Sequence, residues 1–396
     1  MEKRHDKKNR ILHNGESQRP DGRYVYKYID NAGKQKFIYS WKLVATDKLP
    51  AGKRECRPLR ELVAELERDR SDGIDTQGKC ITLCQLYEKY TQGRPNVRKG
   101  TVKGRQRLME ALKADKLGNT PIDKIKPSDA REWAVRMGEK YAFNTVNNFK
   151  RSLIKAFHIA VEDDYVRKNP FQFNLVEVLE DDRKPREALT EAQEQVLLSF
   201  AESDKTYNRL YDSLLILLNT GLRISELCGL TISDIDFESG LISVERQLLA
   251  DKETGYYIDK PKTPSGVRKI PMSGTVREAF RRVLQNREKA SPQPIELDSC
   301  HDFIFLNKHG FPMLGPNYAV TLNLLVAKYN KTHEEQLPKI SPHMLRHTFC
   351  SRMIQKGINP KALQYIMGHK DISITLNLYT HVTLDGIREE MARLAA

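Results

Sequence analysis

The sequence predicts a multidomain, mainly α-helical protein with small β-sheets. Its 396 residues exceed what one hydrophobic core usually organises. Apolar residues recur at helical spacing through most of the chain, whereas the alternation typical of strands is confined to short stretches. Polar, charged segments at 71–79 and 173–193 are typical of linkers. We therefore expect three domains, at residues 1–75, 79–172 and 187–396.

The first predicted domain combines a small sheet with one helix. Residues 1–20 are polar and lack periodicity, which predicts a flexible basic leader. The stretches RYVYKYID and QKFIYSWKLVAT alternate aromatic or branched residues with polar ones on either side of Gly33, which is a hairpin pattern. Apolar residues at helical spacing then follow in PLRELVAELERDRSDG, so a helix is expected to back the sheet.

Basic side chains on this sheet are candidates for DNA contacts, because a β-sheet can enter the major groove. The aromatic residues between them, including Trp41, are as typical of core packing as of DNA binding. Five basic residues are expected on the exposed face: Arg23, Lys27, Lys34, Lys36 and Lys42.

The second predicted domain is a basic bundle of four helices. Its helical patterns pair apolar residues at spacings of three and four with basic ones, and the last pattern ends at Pro170. Each single Lys or Arg is typical of a solvated surface, so it is the basic block as a whole that indicates DNA binding. The candidate DNA-binding residues are Arg94, Arg98, Lys99, Lys103, Arg105, Arg151 and Lys155.

The net charge of +14 is concentrated in these two domains. Residues 1–60 hold 16 Lys/Arg against 7 Asp/Glu, and residues 79–170 hold 20 against 10. Residues 171–396 hold 28 against 29. Because nucleic acid is a polyanion, two basic blocks ahead of a neutral one favour two DNA-holding modules joined to a unit with another task.

The sequence also excludes several classes of protein, namely membrane-spanning, secreted and zinc-binding proteins. The chain has no run of about 18 apolar residues, and its charged N-terminus lacks the apolar stretch of a signal peptide. The six cysteines are scattered, and the one close pair, Cys80 and Cys84, has no second pair at zinc-site spacing. We expect a cytoplasmic protein with reduced thiols, no membrane partner, and no metal or other cofactor.

Chemically capable residues cluster in four strings of the third domain. Arg223 follows Gly221 at the end of an apolar helix, where a buried guanidinium needs an anion. That anion could be a bound phosphate or, equally, the nearby Glu226. The strings are TGLRISELCGL, DKPKTPSGVRKIPM, SPHMLRHTFCSRM and LQYIMGHKDISITLNLYTH.

His343 and Arg346 lie on one face of a predicted helix, because they are three residues apart. His347 is four residues from His343, a spacing that also occurs in zinc sites. The Glu that a zinc protease needs as base is missing, however, and Arg346 would repel a cation. His347 is therefore interpreted as a structural histidine.

Together these residues supply what phosphoryl transfer needs without a metal. Two guanidiniums, from Arg223 and Arg346, can hold the non-bridging oxygens of a phosphate. Tyr379 offers a phenol, which becomes a useful nucleophile when a base takes its proton, although its usual pKa is ~10.

The four strings, in this order, resemble the catalytic domain of the tyrosine recombinases. The resemblance assigns catalytic positions to Arg223, to Lys262 in a β-hairpin, to His343 and Arg346 in an H-x-x-R motif, to His369 and to Tyr379. Lys260 is the alternative to Lys262 in the hairpin. The whole chain also resembles integrases of temperate phages and conjugative transposons. This resemblance implies an N-terminal three-stranded sheet plus helix that binds arm-type DNA sites, a helical core-binding domain and a mixed α+β catalytic domain.

The resemblance also implies a mechanism and partners. Tyr379 would attack a scissile phosphodiester to form a 3′-phosphotyrosyl link, and two exchanges through a Holliday junction would integrate or excise a mobile element. A tetramer on two double-stranded DNA sites is implied, with a DNA-bending accessory protein or excision factor as a further partner, on the bacterial nucleoid. The tail helix at 383–396 carries an apolar stripe that could pack on its own domain, whereas the resemblance implies docking on a neighbouring subunit.

Two other functions are compatible with parts of this pattern. A type IB topoisomerase would use similar chemistry without a partner site, but it has no need of two DNA-binding modules and a docking tail. A catalytically silent DNA-binding regulator would not need all six catalytic positions to be filled.

Overall fold

The computed structural model describes residues 4–29, 35–71, 81–183, 187–261, 264–289 and 291–376. The chain divides into two compact units, Met1–Lys184 and Pro185–Ala396. Within the described residues, no helix is both long enough and apolar enough to cross a membrane.

The chain begins with the expected three-stranded antiparallel sheet and helix. The strands, in the order β1-β2-β3, are β1 (Glu16–Gln18), β2 (Tyr24–Ile29) and β3 (Gln35–Ser40), and the helix is α1 (Leu59–Ser71). Alternation places Tyr24 and Tyr26 on one face of β2, where they join Leu59 and Val63 of α1 in a small core. The amphipathic spacing of α1 thus covers one face of the sheet and leaves the other open.

The prediction of a flexible leader over residues 1–20 is wrong for residues 4–20. Arg10 bridges two carboxylates, donating from Nε to Asp6 Oδ2 at 2.8 Å and from Nη1 to Asp47 Oδ1 at 2.9 Å. Glu16, on β1, is 1% exposed and accepts a hydrogen bond from Arg60 at 3.1 Å. The pairs of Arg10 with Asp47 and of Arg60 with Glu16 join distant segments and order a polar stretch that has no apolar periodicity, so the sequence pattern carried no sign of them.

The second group of elements is the expected four-helix bundle: α2 (Leu83–Gln92), α3 (Lys99–Lys113), α4 (Pro127–Gly138) and α5 (Phe143–Glu162). Thr82 and Gln85 form a reciprocal capping box that starts α2. Trp133 is fully buried at the centre and meets Phe171 edge-on, with ring centroids 5.6 Å apart. The apolar stripes of the helices close around this aromatic centre. Most of their basic residues remain outside, but Lys150 of α5 is buried, with its Nζ over the ring of Phe173.

The second unit is mixed α+β, with helices in the majority. Its elements are α6 (Glu191–Ser203), α7 (Tyr211–Thr220), α8 (Ile224–Cys228), β4 (Ile235–Asp236), β5 (Leu241–Val244), β6 (Gln247–Asp251), β7 (Gly255–Asp259), β8 (Arg268–Pro271), α9 (Gly274–Lys289), α10 (Gly315–Thr332), α11 (Pro342–Gln355), α12 (Pro360–Met367) and α13 (Ile372–Leu376). The antiparallel sheets are β4-β5-β8 and the hairpin β6-β7.

Helix α7 is the centre of this unit. Its sequence SLLILLNT is apolar all round, and Leu214, Ile216, Leu217 and Leu218 are fully buried. Helices α9 and α11 pack against it. Because α7 is fixed on all sides, the residues that follow its C-terminus have a well-defined position.

Candidate active site

The site is built where α7 ends. Gly221 ends the helix in the left-handed conformation, with φ 64°, and Arg223 follows as the N-cap of α8. A Cβ at Gly221 would lie 2.5 Å from Cδ1 of Phe349 and 2.9 Å from Sδ of Met367. The sharp turn at Gly221 is what brings Arg223 into contact with the later part of the chain.

Arg223 is paired with Glu226, but it shares that carboxylate. Its Nη1 donates to Glu226 Oε1 at 2.6 Å, and its Nη2 donates to the carbonyl of Gly368 at 3.1 Å. The second guanidinium on Glu226 is that of Arg268, which donates from Nη2 to Oε2 at 2.9 Å and from Nη1 to Oε1 at 3.2 Å. One carboxylate therefore holds two guanidiniums, and the side chain of Arg223 remains 29% exposed.

Arg346 is held by the ends of two helices. On α11 it is 6% exposed, and its Nη1 donates to the carbonyl of Gly221 at 2.6 Å. Its Nη2 donates to the carbonyl of Met367, the last residue of α12. Helix C-termini carry partial negative charge and carbonyls without helical partners, so they suit a guanidinium. These two bonds join α7, α11 and α12 at the site.

Helix α11 is itself fixed to its surroundings on a second side. Arg352 pairs with Glu194 of α6 and donates to the carbonyl of Leu218 and to Asn219 Oδ1. Thr348 Oγ1 accepts a buried hydrogen bond from the backbone of Leu189 at 3.0 Å. Arg346 therefore projects from a helix whose rotation is set by several buried polar contacts.

Positive charge exceeds negative charge in this cluster. Within the part of the chain that the structure describes, the guanidiniums of Arg223, Arg268 and Arg346 surround the single carboxylate of Glu226. Burial, followed by the charges of Arg223 and Arg268, lowers the pKa of Arg346 to about 9 against the pull of Glu226. Although burial raises the pKa of Glu226, Arg268, Arg223 and Arg346 hold it below its usual range. The cluster therefore carries a net positive charge, which the negative charge of a phosphate group could balance.

His369 lies beside these arginines, one residue after the left-handed Gly368 that ends α12. Its Nδ1 is 2.9 Å from Oγ1 of the buried Thr375. Burial, and then the positive charges of Arg346, Arg223 and Arg268, lower the pKa of the imidazole to about 4. At neutral pH this ring is uncharged and offers one N–H donor.

The other predicted catalytic positions are distributed around this cluster. His343 is exposed on α11, one turn before Arg346. Lys260 is exposed just after β7. The predicted proton donor Lys262 and nucleophile Tyr379 lie outside the described residues, as does the tail at 383–396.

The interpretation of His347 as structural agrees with its surroundings, since its Nδ1 lies 3.4 Å from Ser351 Oγ on the same helix. Across the described ranges, no group of three or more His, Cys, Asp or Glu side chains is arranged to hold a metal.

Sequence reasoning missed Arg268. A signal was present, because in VRKIPM the strand alternation puts Arg268 on the same side as Ile270, and both are buried. An arginine at an inward strand position needs a buried acceptor.

The candidate DNA-binding residues of the N-terminal sheet do not share one face. Lys27 is opposite Phe37 and Lys36 is opposite Tyr28, so the register places the two lysines on opposite faces. The prediction of a common face is wrong for Lys36, which lies on the face that packs against α1. Lys34 lies outside the described residues.

Around Lys27 the open face of the sheet carries exposed aromatic residues. Phe37 and Tyr39 are each 45% exposed, and Arg23 lies over the rings of Tyr39 and Trp41 at 5.7 and 5.5 Å. Lys42 differs, because its Nζ pairs with Glu55 Oε1 at 2.6 Å and its side chain is only 14% exposed. Lys27 is therefore more available to a ligand than Lys42.

In the helical bundle, the candidate residues cluster on α3, on α5 and on the loop before α3. Lys99 and Lys103 are one turn apart on α3, and Arg151 and Lys155 are one turn apart on α5; all four are exposed. Arg98 directly precedes α3. Arg94 and Arg105 both lie over the ring of Tyr90, and Arg105 also donates to the Arg94 carbonyl at 2.8 Å.

A basic two-part N-terminal unit followed by an arginine-rich α+β site defines the class of the tyrosine recombinases. The phage integrase family matches residues 187–385, and the DNA-binding domain of Tn916 integrase matches residues 1–70. The chain belongs to the phage integrase family. It is a tyrosine recombinase of the conjugative-transposon type, and this assignment is favoured over a topoisomerase.

Individual relatives agree along nearly the whole chain. The chain is 57% identical over 394 residues to the transposase from transposon Tn1545 of Streptococcus agalactiae serotype V, covering 99% of this chain and 97% of that one. The same identity and coverage hold for the transposase from transposon Tn916 of Enterococcus faecalis.

Solved structures support the same assignment. The Tn1549 transposon integrase, in complex with transposon right end DNA, is 55% identical, with 80% of this chain and 100% of that one covered and a TM-score of 0.76. A lambda integrase dimer bound to a core site is 17% identical, with 93% and 95% covered and a TM-score of 0.55, and shares the fold.

The turn at Gly221 generates a stability prediction. We expect Gly221→Ala to destabilise the protein by roughly 2–4 kcal/mol, because alanine disfavours the left-handed conformation and its Cβ would overlap Phe349. Gly104→Ala is the control, since that glycine lies inside α3 with open space around it and should gain up to about 1 kcal/mol. Urea unfolding measures the free energy of unfolding of both variants. Equal changes in the two variants would contradict the left-handed, closely packed turn at Gly221.

The environment of His369 generates a pH prediction. Its imidazole should remain neutral down to about pH 4, whereas in the unfolded chain it takes up a proton near pH ~6.5. The unfolded state then binds more protons between these values, so this residue should reduce stability as the pH falls from about 6.5 to 4. Histidine-selective NMR, assigned with His369→Gln, measures the midpoint, and a midpoint at or above ~6.5 would refute the prediction.

Proposed function

We propose that this protein is the integrase of a conjugative transposon, which cuts and rejoins the DNA ends of its element through a covalent bond to Tyr379. The observation that carries the proposal is the cluster of three guanidiniums around the carboxylate of Glu226, with the side chain of Arg223 partly exposed. Such a cluster suits a phosphodiester whose negative charge increases in the transition state.

In the proposed cleavage step, the phenolic oxygen of Tyr379 attacks phosphorus in line with the 5′-oxygen. A phosphorus–oxygen bond to the tyrosine forms, and the bond to the 5′-oxygen breaks. His343 accepts the phenolic proton, and Lys262 donates a proton to the departing 5′-oxygen, with Lys260 as the alternative donor. No high-energy cofactor is needed, because the phosphotyrosyl ester conserves the energy of the broken bond.

Arg223, Arg346 and His369 would stabilise the transition state. A guanidinium has five N–H donors, and the protein bonds of Arg346 run from Nη1 and Nη2 to two carbonyls, so donors remain for phosphate oxygens. The neutral imidazole of His369 would add one further donor. Arg223 would contribute through its exposed part, while Glu226 fixes its orientation.

The partner in the proposed reaction is double-stranded DNA. The N-terminal domain at 1–75 would bind arm-type sites, and the helical domain at 79–172 would hold the core site together with the catalytic domain at 187–396. Relatives support this, since the Tn1549 integrase was solved with transposon right end DNA and with circular intermediate DNA. Such a protein would work in the bacterial cytoplasm, on the nucleoid.

The proposed strand exchange also requires several subunits to assemble on DNA. The free 5′-hydroxyl of a partner duplex reverses the cleavage step, and two rounds pass through a Holliday junction. Four subunits on two sites would perform these rounds, coupled by the apolar tail at 383–396. A DNA-bending protein or excision factor would set the direction of the reaction.

Replacement of the nucleophile tests the chemistry. Tyr379→Phe should abolish the covalent adduct on a nicked suicide substrate made from the element's ends, a loss of at least about 10³-fold, because the substitution removes the hydroxyl that the proposal assigns as nucleophile. Tyr207→Phe, elsewhere in the catalytic unit, is the matched control and should react normally. An adduct formed by Tyr379→Phe would overturn the proposal.

A two-site recombination assay run beside a supercoil-relaxation assay tests the strand exchange. Recombinant product supports the integrase, whereas relaxation without recombinants would indicate a topoisomerase.

The open face of the N-terminal sheet yields a binding prediction. Lys27→Gln should weaken binding to DNA from the element's ends and reduce the slope of log affinity against log salt by about 1, because one phosphate contact is lost. Lys42→Gln, whose ammonium is already paired with Glu55, should leave the slope nearly unchanged. Titrations at several salt concentrations measure both variants, and equal slopes would contradict the assignment of this face.

A further inference from the structure

Arg268 is the most enclosed guanidinium of the site. Its side chain is 0% exposed, whereas that of Arg223 is 29% exposed. Besides Glu226, it donates from Nε to the carbonyl of Ile366 at 2.6 Å and from Nη1 to the carbonyl of Gly266 at 3.1 Å. It is therefore surrounded by protein acceptors and closed to solvent, so a phosphate could not reach it directly.

The bonds of Arg268 connect three separate parts of the catalytic unit. Glu226 belongs to α8 and also orients Arg223. Ile366 is in the last turn of α12, just before His369, and Gly266 ends the short turn that precedes β8. The approach is close, because a Cβ at Gly368 would lie 3.1 Å from Nη1 of Arg268.

Charge balance explains why a third arginine is placed here. A buried carboxylate paired with Arg223 alone would neutralise that guanidinium and weaken its attraction for an anion. Arg268 binds both oxygens of Glu226 from the closed side. Glu226 can then orient Arg223 while the cluster keeps the positive charge that a phosphate needs.

We infer that Arg268 is a positioning residue for strand cleavage: it offsets the charge of Glu226, so that Arg223 is oriented by this carboxylate and still available to the scissile phosphate. The inference rests on the proposed function and adds to it a residue that acts through Glu226 and Arg223 without touching DNA.

The test compares two suicide substrates that differ only at the scissile phosphorus. One carries the natural phosphodiester and the other a methylphosphonate, in which a methyl group replaces a charged non-bridging oxygen. Because the methylphosphonate is neutral, its cleavage depends less on guanidinium charge. In Arg268→Gln we expect phosphodiester cleavage to fall by roughly 10- to 100-fold and methylphosphonate cleavage to fall much less. The readout is the rate of phosphodiester cleavage divided by the rate of methylphosphonate cleavage.

Two further variants complete the design. Arg268→Lys keeps the charge beside Glu226, so its rate ratio should equal that of the unmodified protein even if both rates are lower. Arg281→Gln removes an exposed arginine that pairs with Glu278 at 2.5 Å, and should change neither rate. Melting temperatures of all variants identify any loss of folded protein.

A merely structural role for Arg268 would lower both rates by the same factor in Arg268→Gln, and that result would overturn the inference. If Arg268→Gln does not fold, Arg268→Met replaces it as the uncharged variant: a lowered ratio of phosphodiester to methylphosphonate cleavage supports the inference, and an unchanged ratio overturns it. Failure of the proposed function is a different outcome, because the unmodified protein would then form no adduct with the phosphodiester.

Discussion

The sharing of one buried carboxylate by two guanidiniums is the interaction on which the catalytic unit depends. Glu226 is 1% exposed and holds both Arg223 and Arg268. A buried charge of this kind is costly unless it is fully compensated, and a pair that loses one partner leaves the other unpaired. In this site compensation goes beyond neutrality, because Arg346 adds a third positive charge. The folded unit therefore has a net positive charge at this site, which favours binding of an anion.

Backbone conformation makes this concentration of charge geometrically possible. Two helices that end in left-handed glycines, Gly221 and Gly368, bring their C-terminal carbonyls to the same place. Arg346 donates to one carbonyl from each end, and Arg223 donates to Gly368 itself. The negative ends of the helix dipoles thus offset part of the repulsion between the arginines. The site therefore depends on the carbonyls at the ends of these helices and on the glycine turns, as well as on the charged side chains.

The organisation of the whole chain matches the demands of strand exchange. Basic residues are concentrated in the N-terminal blocks, whereas the catalytic unit is nearly neutral overall and concentrates its positive charge locally. In the proposed strand exchange, in which two DNA duplexes pass through several reversible steps, this separation would let binding strength and chemical reactivity change independently. The agreement with transposon integrases along nearly the whole chain is consistent with that arrangement.

The sequence by itself determined the class of protein, the helical and strand segments and the residue types of the site, because periodicity and short motifs are local properties. It suggested Glu226 as a partner of Arg223, but left a bound phosphate equally open. The tertiary structure decided that Glu226 is shared with Arg268, a residue 42 positions away. It also ordered residues 4–20 through Arg10 and Arg60, and it placed Lys27 and Lys36 on opposite faces. These features depend on long-range ion pairs and strand register, which arise only when distant segments pack together.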